Sequence, residues 1–96
     1  HWINYADMKS VKGEDPIKVR KDIDDLFRTR NLGNAIMILD KYNINYILVT
    51  PVMKHGLVWN VEEEGLLFLL KYDDGFAKIY DEAIEVWEYK PKQKNI

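Results

Sequence analysis

The sequence of 96 residues contains no cysteine, and this absence removes several kinds of chemistry at once. Without thiols the chain has no disulfide framework, no thiolate zinc site and no cysteine nucleophile. The cellular compartment stays open, because a cysteine-free chain is stable on either side of a membrane. Hydroxyl side chains are also scarce. Apart from the tyrosines there are only Ser10, Thr29 and Thr50, and none of them lies in a nucleophile motif.

Glycine patterns, long apolar runs and strong charge are missing as well. The five glycines are scattered, so the chain has neither a P-loop nor a dinucleotide-binding pattern. The longest apolar run, Leu66–Leu70, is far shorter than a bilayer-spanning helix requires. There is no signal-peptide pattern. A net charge of −2 gives no reason to expect nucleic acid as a partner.

The composition that remains is that of a globular protein. Hydrophobic residues make up 47% of the chain and aromatic residues 12%. We therefore expect residues 1–96 to form a single soluble domain, with residues 1–14 and 90–96 only partly ordered. The chain begins at His1-Trp2-Ile3 without an initiator methionine. We interpret it as a domain cut from a longer protein.

Two helices are predicted in the first half. Asp15-Pro16 has an N-cap residue followed by proline at the first helical position, and apolar residues recur at helical spacing over 16–28. Asn31 is the N-cap of a second helix that ends near Tyr42, with Asn43 as a left-handed stop residue. Apolar residues cover more than one side of this helix, which predicts that it is largely buried.

A buried strand and a short helical turn follow. Tyr46–Val49 is β-branched, aromatic and uncharged, which predicts an interior strand with layers on both sides. Thr50-Pro51 is the next helix start signal, and Gly56 ends this helix after about one turn, Pro51–His55. The sequence "GLVWN" that follows is interpreted as extended.

A third helix and a hairpin complete the chain. Asn60 is the predicted N-cap of a helix over 61–72, with the acidic run Glu62–Glu64 at the positive end of its dipole. Phe76–Tyr80 and Ile84–Tyr89 alternate across a short turn, which predicts an antiparallel hairpin. The order α-α-β-(short α)-α-β-β predicts a small α/β (α+β) domain. It would have a three- or four-stranded mixed sheet, a C-terminal hairpin and helices packed on the sheet.

The residues offer little catalytic chemistry. A zinc site needs three or four converging ligands. The chain has no cysteine and only two histidines, His1 and His55. The acidic turn Asp73-Asp74-Gly75 lacks the spacing of a calcium loop. The aromatic residues are expected to pack in the core and hairpin rather than to stack on sugars. We therefore predict no catalytic, cofactor-binding or metal-binding residue.

One surface remains as a candidate interface. Met53-Lys54-His55 follows the carboxyl end of the predicted strand Tyr46–Val49, where sites form in α/β proteins. The region around Trp59 is a second candidate for protein contacts. The predicted surface residues are thus Met53, Lys54, His55 and Trp59.

The segment Ala35–Val49, "AIMILDKYNINYILV", resembles "A-x-x-I-L-x-K-Y-N-V-x-Y-V-x-V" in polytopic membrane glycosyltransferases of the GT-C type, archaeal and bacterial. Archaeal oligosaccharyltransferase catalytic subunits belong to this group. Phe76–Tyr80 and Ile84–Tyr89 resemble the closing pattern "F-x-K-V-Y-x-(few)-V-x-I-Y-x-Y", and "DIDDLFRT" upstream fits the looser members. The resemblance covers about Ile23 to Tyr89. The hallmark W-W-D-Y-G is absent, and Asp15-Pro-Ile-Lys18 does not complete the family's D-x-x-K motif.

The resemblance implies a non-catalytic, extracytoplasmic C-terminal domain of a membrane glycosyltransferase. Its expected partners are the membrane domain of the same polypeptide and a lipid-linked sugar or acceptor near the membrane. The fragment itself is expected to hold no cofactor, and a divalent metal ion is expected only in the parent protein. The alternative is a free-standing soluble module that binds proteins through the hairpin edge or the Trp59 region. Apolar spans encoded before residue 1 would favour the first interpretation.

Overall fold

The computed structural model describes residues 2–5, 15–61 and 63–90. The predicted α+β class with a mixed sheet is confirmed, and one strand is added at the start of the predicted order. The predicted partial order of 1–14 and 90–96 falls outside the described residues, apart from 2–5 and Lys90. The elements are β1 (Trp2–Asn4), α1 (Pro16–Arg28), α2 (Leu32–Lys41), β2 (Tyr46–Val49), a short irregular helical turn (Met53–Leu57), α3 (Gly65–Tyr72), β3 (Phe76–Asp81) and β4 (Glu85–Tyr89).

The four strands form one sheet in the order β1-β2-β4-β3. β1 runs parallel to β2, and the other neighbours are antiparallel. Ile47 in β2 lies opposite Ile3 on one side and Trp87 on the other. The predicted hairpin is confirmed as β3 and β4, with a bulge between Lys78 and Tyr80. β1 was not predicted, because three residues are too few to show alternation.

α1 begins and ends where the sequence predicts. The carboxylate of Asp15 accepts a hydrogen bond from the Ile17 amide at 3.0 Å, and Pro16 occupies the first helical position. Proline suits this position because its missing N–H would have no partner inside the helix. One face of α1 is buried in the core, and its members are Val19, Ile23, Leu26 and Phe27.

α2 confirms its predicted ends but not its predicted burial. The Asn31 side chain accepts from the Asn34 amide at 3.0 Å, and Asn43 takes a left-handed φ of 57° just beyond the helix. Only one side of α2, formed by Ala35, Ile38 and Leu39, is buried. Met37 is 63% exposed. The prediction of a largely buried helix is wrong, because the outer side of α2 faces solvent.

β2 occupies the interior of the sheet, as predicted, but the helices of the described part of the chain cover only one of its faces. Ile47 and Val49 are buried, whereas Tyr46 is 37% exposed. All three helices contribute to the same core on one side of the sheet. None of the described residues forms the predicted layer on its second face. Within 2–5, 15–61 and 63–90 the domain has two layers, helices on one sheet face.

The segment between β2 and α3 departs furthest from prediction. Leu57 belongs to the short helical turn and Val58 has φ −118° and ψ −46°, so "GLVWN" is not extended. α3 begins at Gly65 instead of 61, and Glu63 and Glu64 therefore precede it. Glu62 lies outside the described residues. We attribute the late start of α3 to Trp59, which lies just before this helix. Trp59 is fully buried, so the chain between β2 and α3 is held against the core.

None of the helices in the described part of the chain has the length and apolar character needed to cross a membrane. The core that these helices and the sheet enclose is continuous, extending from Ile3 in β1 to Tyr89 in β4.

A polar contact joins α1 to the end of α2. Lys41 Nζ and the Tyr42 hydroxyl both donate to one carboxylate oxygen of Asp22, at 2.8 Å and 2.6 Å. The hydrogen bonds from Lys41 and then Tyr42 lower the pKa of Asp22 below its ordinary value. A carboxyl whose pKa is lower in the folded state stabilises the fold above its unfolded pKa, and this contribution is lost as pH falls through the folded pKa.

We therefore expect Asp22→Asn to lower the free energy of unfolding by about 1 kcal/mol at pH 7. The difference from the parent sequence should shrink as pH falls from about 5 toward about 2, where the carboxyl is protonated in both states. Urea unfolding at several pH values measures both effects. Asp25→Asn, at an exposed position on the same helix, is the control and should change stability little. An effect of Asp22→Asn that does not vary with pH would contradict the role of its charge.

Candidate functional site

The predicted surface lies beside a cavity at the carboxyl end of β2. The cavity has a volume of about 260 Å³ and lies between the short helical turn and the tip of the β3–β4 hairpin. Lys54 and His55 reach it from the turn. The other lining residues are Val49, Pro51, Asp81, Glu82, Ala83, Ile84 and Glu85. Of the predicted surface residues, the structure thus brings Lys54 and His55 together here.

A buried carboxylate forms one wall of this cavity. Glu85 is 7% exposed and makes an ion pair with Lys54. Its other carboxylate oxygen accepts a hydrogen bond from the Trp87 indole N–H at 3.0 Å. A buried charge is tolerated only when it is paired and hydrogen-bonded, and Glu85 meets both conditions. The pair therefore fixes the short helical turn to β4.

Lys78 adds a second positive charge on the same side. Its Nζ lies 3.0 Å from Asp81 and 3.9 Å from Glu85, and it stacks over the Trp87 ring at 5.4 Å. The hydrogen bond to Asp81 is the main cause that raises the pKa of Lys78. The lysines and carboxylates of the cavity thus largely neutralise one another.

The chemistry available in this arrangement is limited. His55 is exposed, and the described residues contain no group of three or more histidine or acidic side chains placed to hold a metal ion. The Glu85 carboxylate is already bound by Lys54 and Trp87, so it is not poised as a general base. The site can form ion pairs and contacts but presents no assembled catalytic group.

The structure corrects two of the four predicted surface residues. Met53 is 1% exposed and Trp59 is fully buried, so neither belongs to a surface. The Trp59 indole N–H donates to the Phe27 carbonyl oxygen at 2.8 Å, and its ring lies 6.1 Å from that of Phe27. An apolar body with one polar atom is stable inside a core when that atom finds a partner, and Phe27 provides it.

The sequence contains a signal for the burial of Glu85. Alternation along Ile84–Tyr89 places Glu85 on the same face as Trp87 and Tyr89, and both aromatic residues are buried. A glutamate on that face must be buried too and must have a partner. The identity of the partner could not be predicted, because Lys54 lies 31 positions away in sequence.

A second cavity, of about 420 Å³, lies between α1 and α2 and was not predicted. Asp22, Asp25 and Arg28 line it from α1, and Met37 and Ile38 line it from α2. Asp22 is already bound to Lys41 and Tyr42, so this cavity has no free acidic pair of the kind that catalysis requires.

Comparison with known proteins gives a likeness in fold. No protein-family model matches the sequence, and no curated protein matches it significantly. A solved structure is similar: the crystal structure of the C-terminal globular domain of oligosaccharyltransferase from Archaeoglobus fulgidus. The TM-score is 0.60 at 14% sequence identity, and the match covers 95% of this chain and 78% of that chain. The chain thus has the fold of that archaeal domain, which confirms the fold that the sequence resemblance implied.

Proposed function

We propose that this chain is a non-catalytic globular domain of a membrane-bound glycosyltransferase of the oligosaccharyltransferase type. The likeness in fold to the C-terminal globular domain of an oligosaccharyltransferase, over 95% of this chain, carries the proposal. The sequence resemblance over about Ile23 to Tyr89 points to the same group independently. The function is inferred from the fold by analogy, and the reading-frame and transfer experiments below test it directly.

The positions that carry the resemblance support a structural role. Asn43 is the left-handed residue that ends α2. Ile47, Trp87 and Tyr89 are buried in the core on one face of the sheet. These residues determine how a helix turns into a strand and how the hairpin packs. A motif built from such positions specifies a fold rather than a reaction.

In this proposal the chemistry belongs to the rest of the parent protein. The domain lies on the extracytoplasmic face of the membrane and supports or caps the membrane-embedded catalytic part. A lipid-linked sugar or an acceptor comes close to it there, and a divalent metal ion is held by the parent. The charges around Glu85 largely neutralise one another, which supports a packing role for this part of the domain.

The coding sequence upstream of residue 1 provides the first test. We expect about ten apolar spans before residue 1, each of roughly twenty residues, with acidic residues in the first outward-facing loop. The full-length protein should transfer glycosyl groups from membrane lipid extracts, and the 96-residue chain alone should not. A reading frame that opens at or near residue 1 would refute the proposal.

A free-standing protein-binding module is the second candidate. The observation that favours it is the sheet face turned away from the helices, where Trp2, Tyr46 and Tyr80 are exposed. The same reading-frame test separates the two candidates, because a module of this kind requires no membrane spans.

A further inference from the structure

β1 is attached to the domain by fewer contacts than the other three strands. It lies at an edge of the sheet, where its strand neighbour among the described residues is β2. The pairing joins Trp2, Ile3 and Asn4 to residues 46–48 in parallel. Parallel pairing is slightly less stable per residue than antiparallel pairing. Strand pairing alone is therefore a weak attachment for β1.

The apolar attachment of β1 depends on one side chain. Ile3 is fully buried beside Ile47, whereas Trp2 is 43% exposed. Ile3 is the one residue that β1 contributes to the buried core, and the other core members lie within residues 19–89. The helices and the other three strands thus pack on one another with little help from β1.

A polar cluster directly after β1 joins the strand to α1. The Tyr5 hydroxyl donates to Asp24 Oδ1 at 2.6 Å. The Arg20 guanidinium donates to the same Asp24 oxygen and to the Tyr5 carbonyl oxygen, both at 3.0 Å. It also lies over the Tyr5 ring, 4.4 Å from the ring centroid. Tyr5, Arg20 and Asp24 are here called the Tyr5 latch.

The latch is half-buried, and its two charges are paired with each other. Hydrogen bonds from Tyr5 and then Arg20 lower the pKa of Asp24 below its ordinary value. Hydrogen bonds to an ionised group are about twice as strong as those between neutral groups. The Tyr5 ring also packs edge-on against Phe27 at 5.4 Å. These contacts go to α1, whereas the strand pairing goes to β2, so the latch is a second and separate attachment.

We propose that β1 is a releasable strand and that the Tyr5 latch controls its release. Opening withdraws Ile3 from the core, while the three helices and the strands β2, β4 and β3 keep their places. Proteins open locally where few buried contacts hold a segment, before they unfold as a whole. The inference does not depend on the proposed function.

Release of β1 changes what the domain presents to its surroundings. It uncovers the backbone N–H and C=O groups on the edge of β2 that β1 occupies in the closed state. An uncovered strand edge is a template for pairing with another strand. The latch therefore decides when the edge of β2 is available for such pairing.

Thiol labelling measures the opening, because the 96-residue chain has no cysteine of its own. Ile3 and Ile47 are both fully buried, so a thiol at either position reacts only after it becomes exposed. We expect the Ile3→Cys thiol to react with a water-soluble maleimide about tenfold or more faster than the Ile47→Cys thiol. Local opening exposes little surface, so low urea should hardly change the Ile3→Cys rate but should raise the Ile47→Cys rate steeply.

Removing the Asp24 charge tests the latch itself. Asp24→Asn in the Ile3→Cys chain should increase the labelling rate about tenfold, because a neutral amide is a weaker partner for Tyr5 and Arg20. Asp25→Asn, at the next and exposed position of α1, is the matched control and should leave the rate unchanged. Equal rates and equal urea dependence for Ile3→Cys and Ile47→Cys would overturn the release. An equal effect of Asp24→Asn and Asp25→Asn would overturn control by the latch.

A second measurement leaves Ile3 in place, because cysteine fills less of the core than isoleucine does. Hydrogen exchange of the backbone amides of β1 and β4 is compared in chains that carry only Asp24→Asn or only Asp25→Asn. The β1 amides that pair with β2 should exchange about tenfold faster with Asp24→Asn, and low urea should hardly affect this exchange. If the paired β1 amides exchange no faster than those of β4 in either chain, β1 opens only with the whole domain and the inference is wrong.

Discussion

Replacing Gly65 by alanine is expected to lower the free energy of unfolding by about 3 kcal/mol or more. Gly65 has a φ of +56°, a conformation that residues with a Cβ adopt only at a cost. The surroundings add a steric cost, because an added Cβ would lie 2.6 Å from the Phe27 carbonyl oxygen and 3.0 Å from Arg28 Cα. Both are backbone atoms, so neither can rotate away.

The substitution also reaches the Trp59 hydrogen bond. The same Cβ would lie 3.0 Å from the Trp59 indole nitrogen, which donates to the Phe27 carbonyl oxygen. Any shift that relieves the clash lengthens this buried bond and leaves a buried polar group poorly satisfied. Gly65→Ala therefore separates the start of α3 from the end of α1, in addition to straining the backbone.

Urea unfolding followed by tryptophan fluorescence measures the effect. Gly33→Ala is the matched control, because Gly33 lies inside α2 and its added Cβ would approach only the capping oxygen of Asn31, at 3.2 Å, where a shift of a few tenths of an ångström relieves the contact. Alanine favours a helix over glycine by up to about 1 kcal/mol, so Gly33→Ala should change stability little or increase it. A loss for Gly65→Ala no larger than the change for Gly33→Ala would disprove the close approach.

The helix ends that the sequence predicted correctly are those with local chemistry. Asp15-Pro16 and Asn31 form hydrogen bonds within a few residues of themselves, and Asn43 needs only its own backbone to end α2. Such signals can be recognised in a sequence because the capping residue and the helix end that it caps lie within one turn of helix. The hairpin can be predicted for the same reason, because its two strands are neighbours in sequence.

The errors arise where distant residues decide the local structure. Asn60 has the chemistry of an N-cap, but burial of Trp59 against Phe27, 32 positions away, delays the helix to Gly65. β1 is stabilised by Ile3, which is fully buried beside Ile47. Its three residues are too few to form a sequence pattern that predicts a strand. The second layer predicted on β2 was inferred from its uninterrupted apolar sequence. Tyr46 and Leu48 in fact lie on the sheet face turned away from the helices.

The candidate site was predictable in position but not in composition. The carboxyl end of β2 does lead into a cavity, and Lys54 and His55 line it as expected for that loop. The buried partner Glu85 comes from β4, where it lies opposite Val49 but 31 positions from Lys54 in sequence. Its ion pair with Lys54 leads to the second prediction of large effect.

Replacing Lys54 by methionine is expected to lower the free energy of unfolding by about 2–3 kcal/mol. Methionine keeps much of the length and the apolar stem of lysine but leaves the Glu85 carboxylate without its main positive partner. Loss of one partner of a buried pair costs about 3–5 kcal/mol. The smaller value is expected here because the Lys54 side chain is 29% exposed, and because Trp87 and Lys78 still face the carboxylate.

A double substitution shows whether the cost comes from the unpaired charge. With Glu85→Gln added to Lys54→Met, the neutral amide can still accept from Trp87, and most of the lost stability should return. The coupling energy from the complete cycle should be about 1–3 kcal/mol. Lys90→Met is the control, since Lys90 pairs with Glu88 at 3.7 Å in a far more exposed position, and its loss should cost less than about 0.5 kcal/mol. If Lys54→Met and the double variant were equally unstable, the loss would come from packing of the turn, and the ion pair would not be what holds Met53–Leu57 against β4.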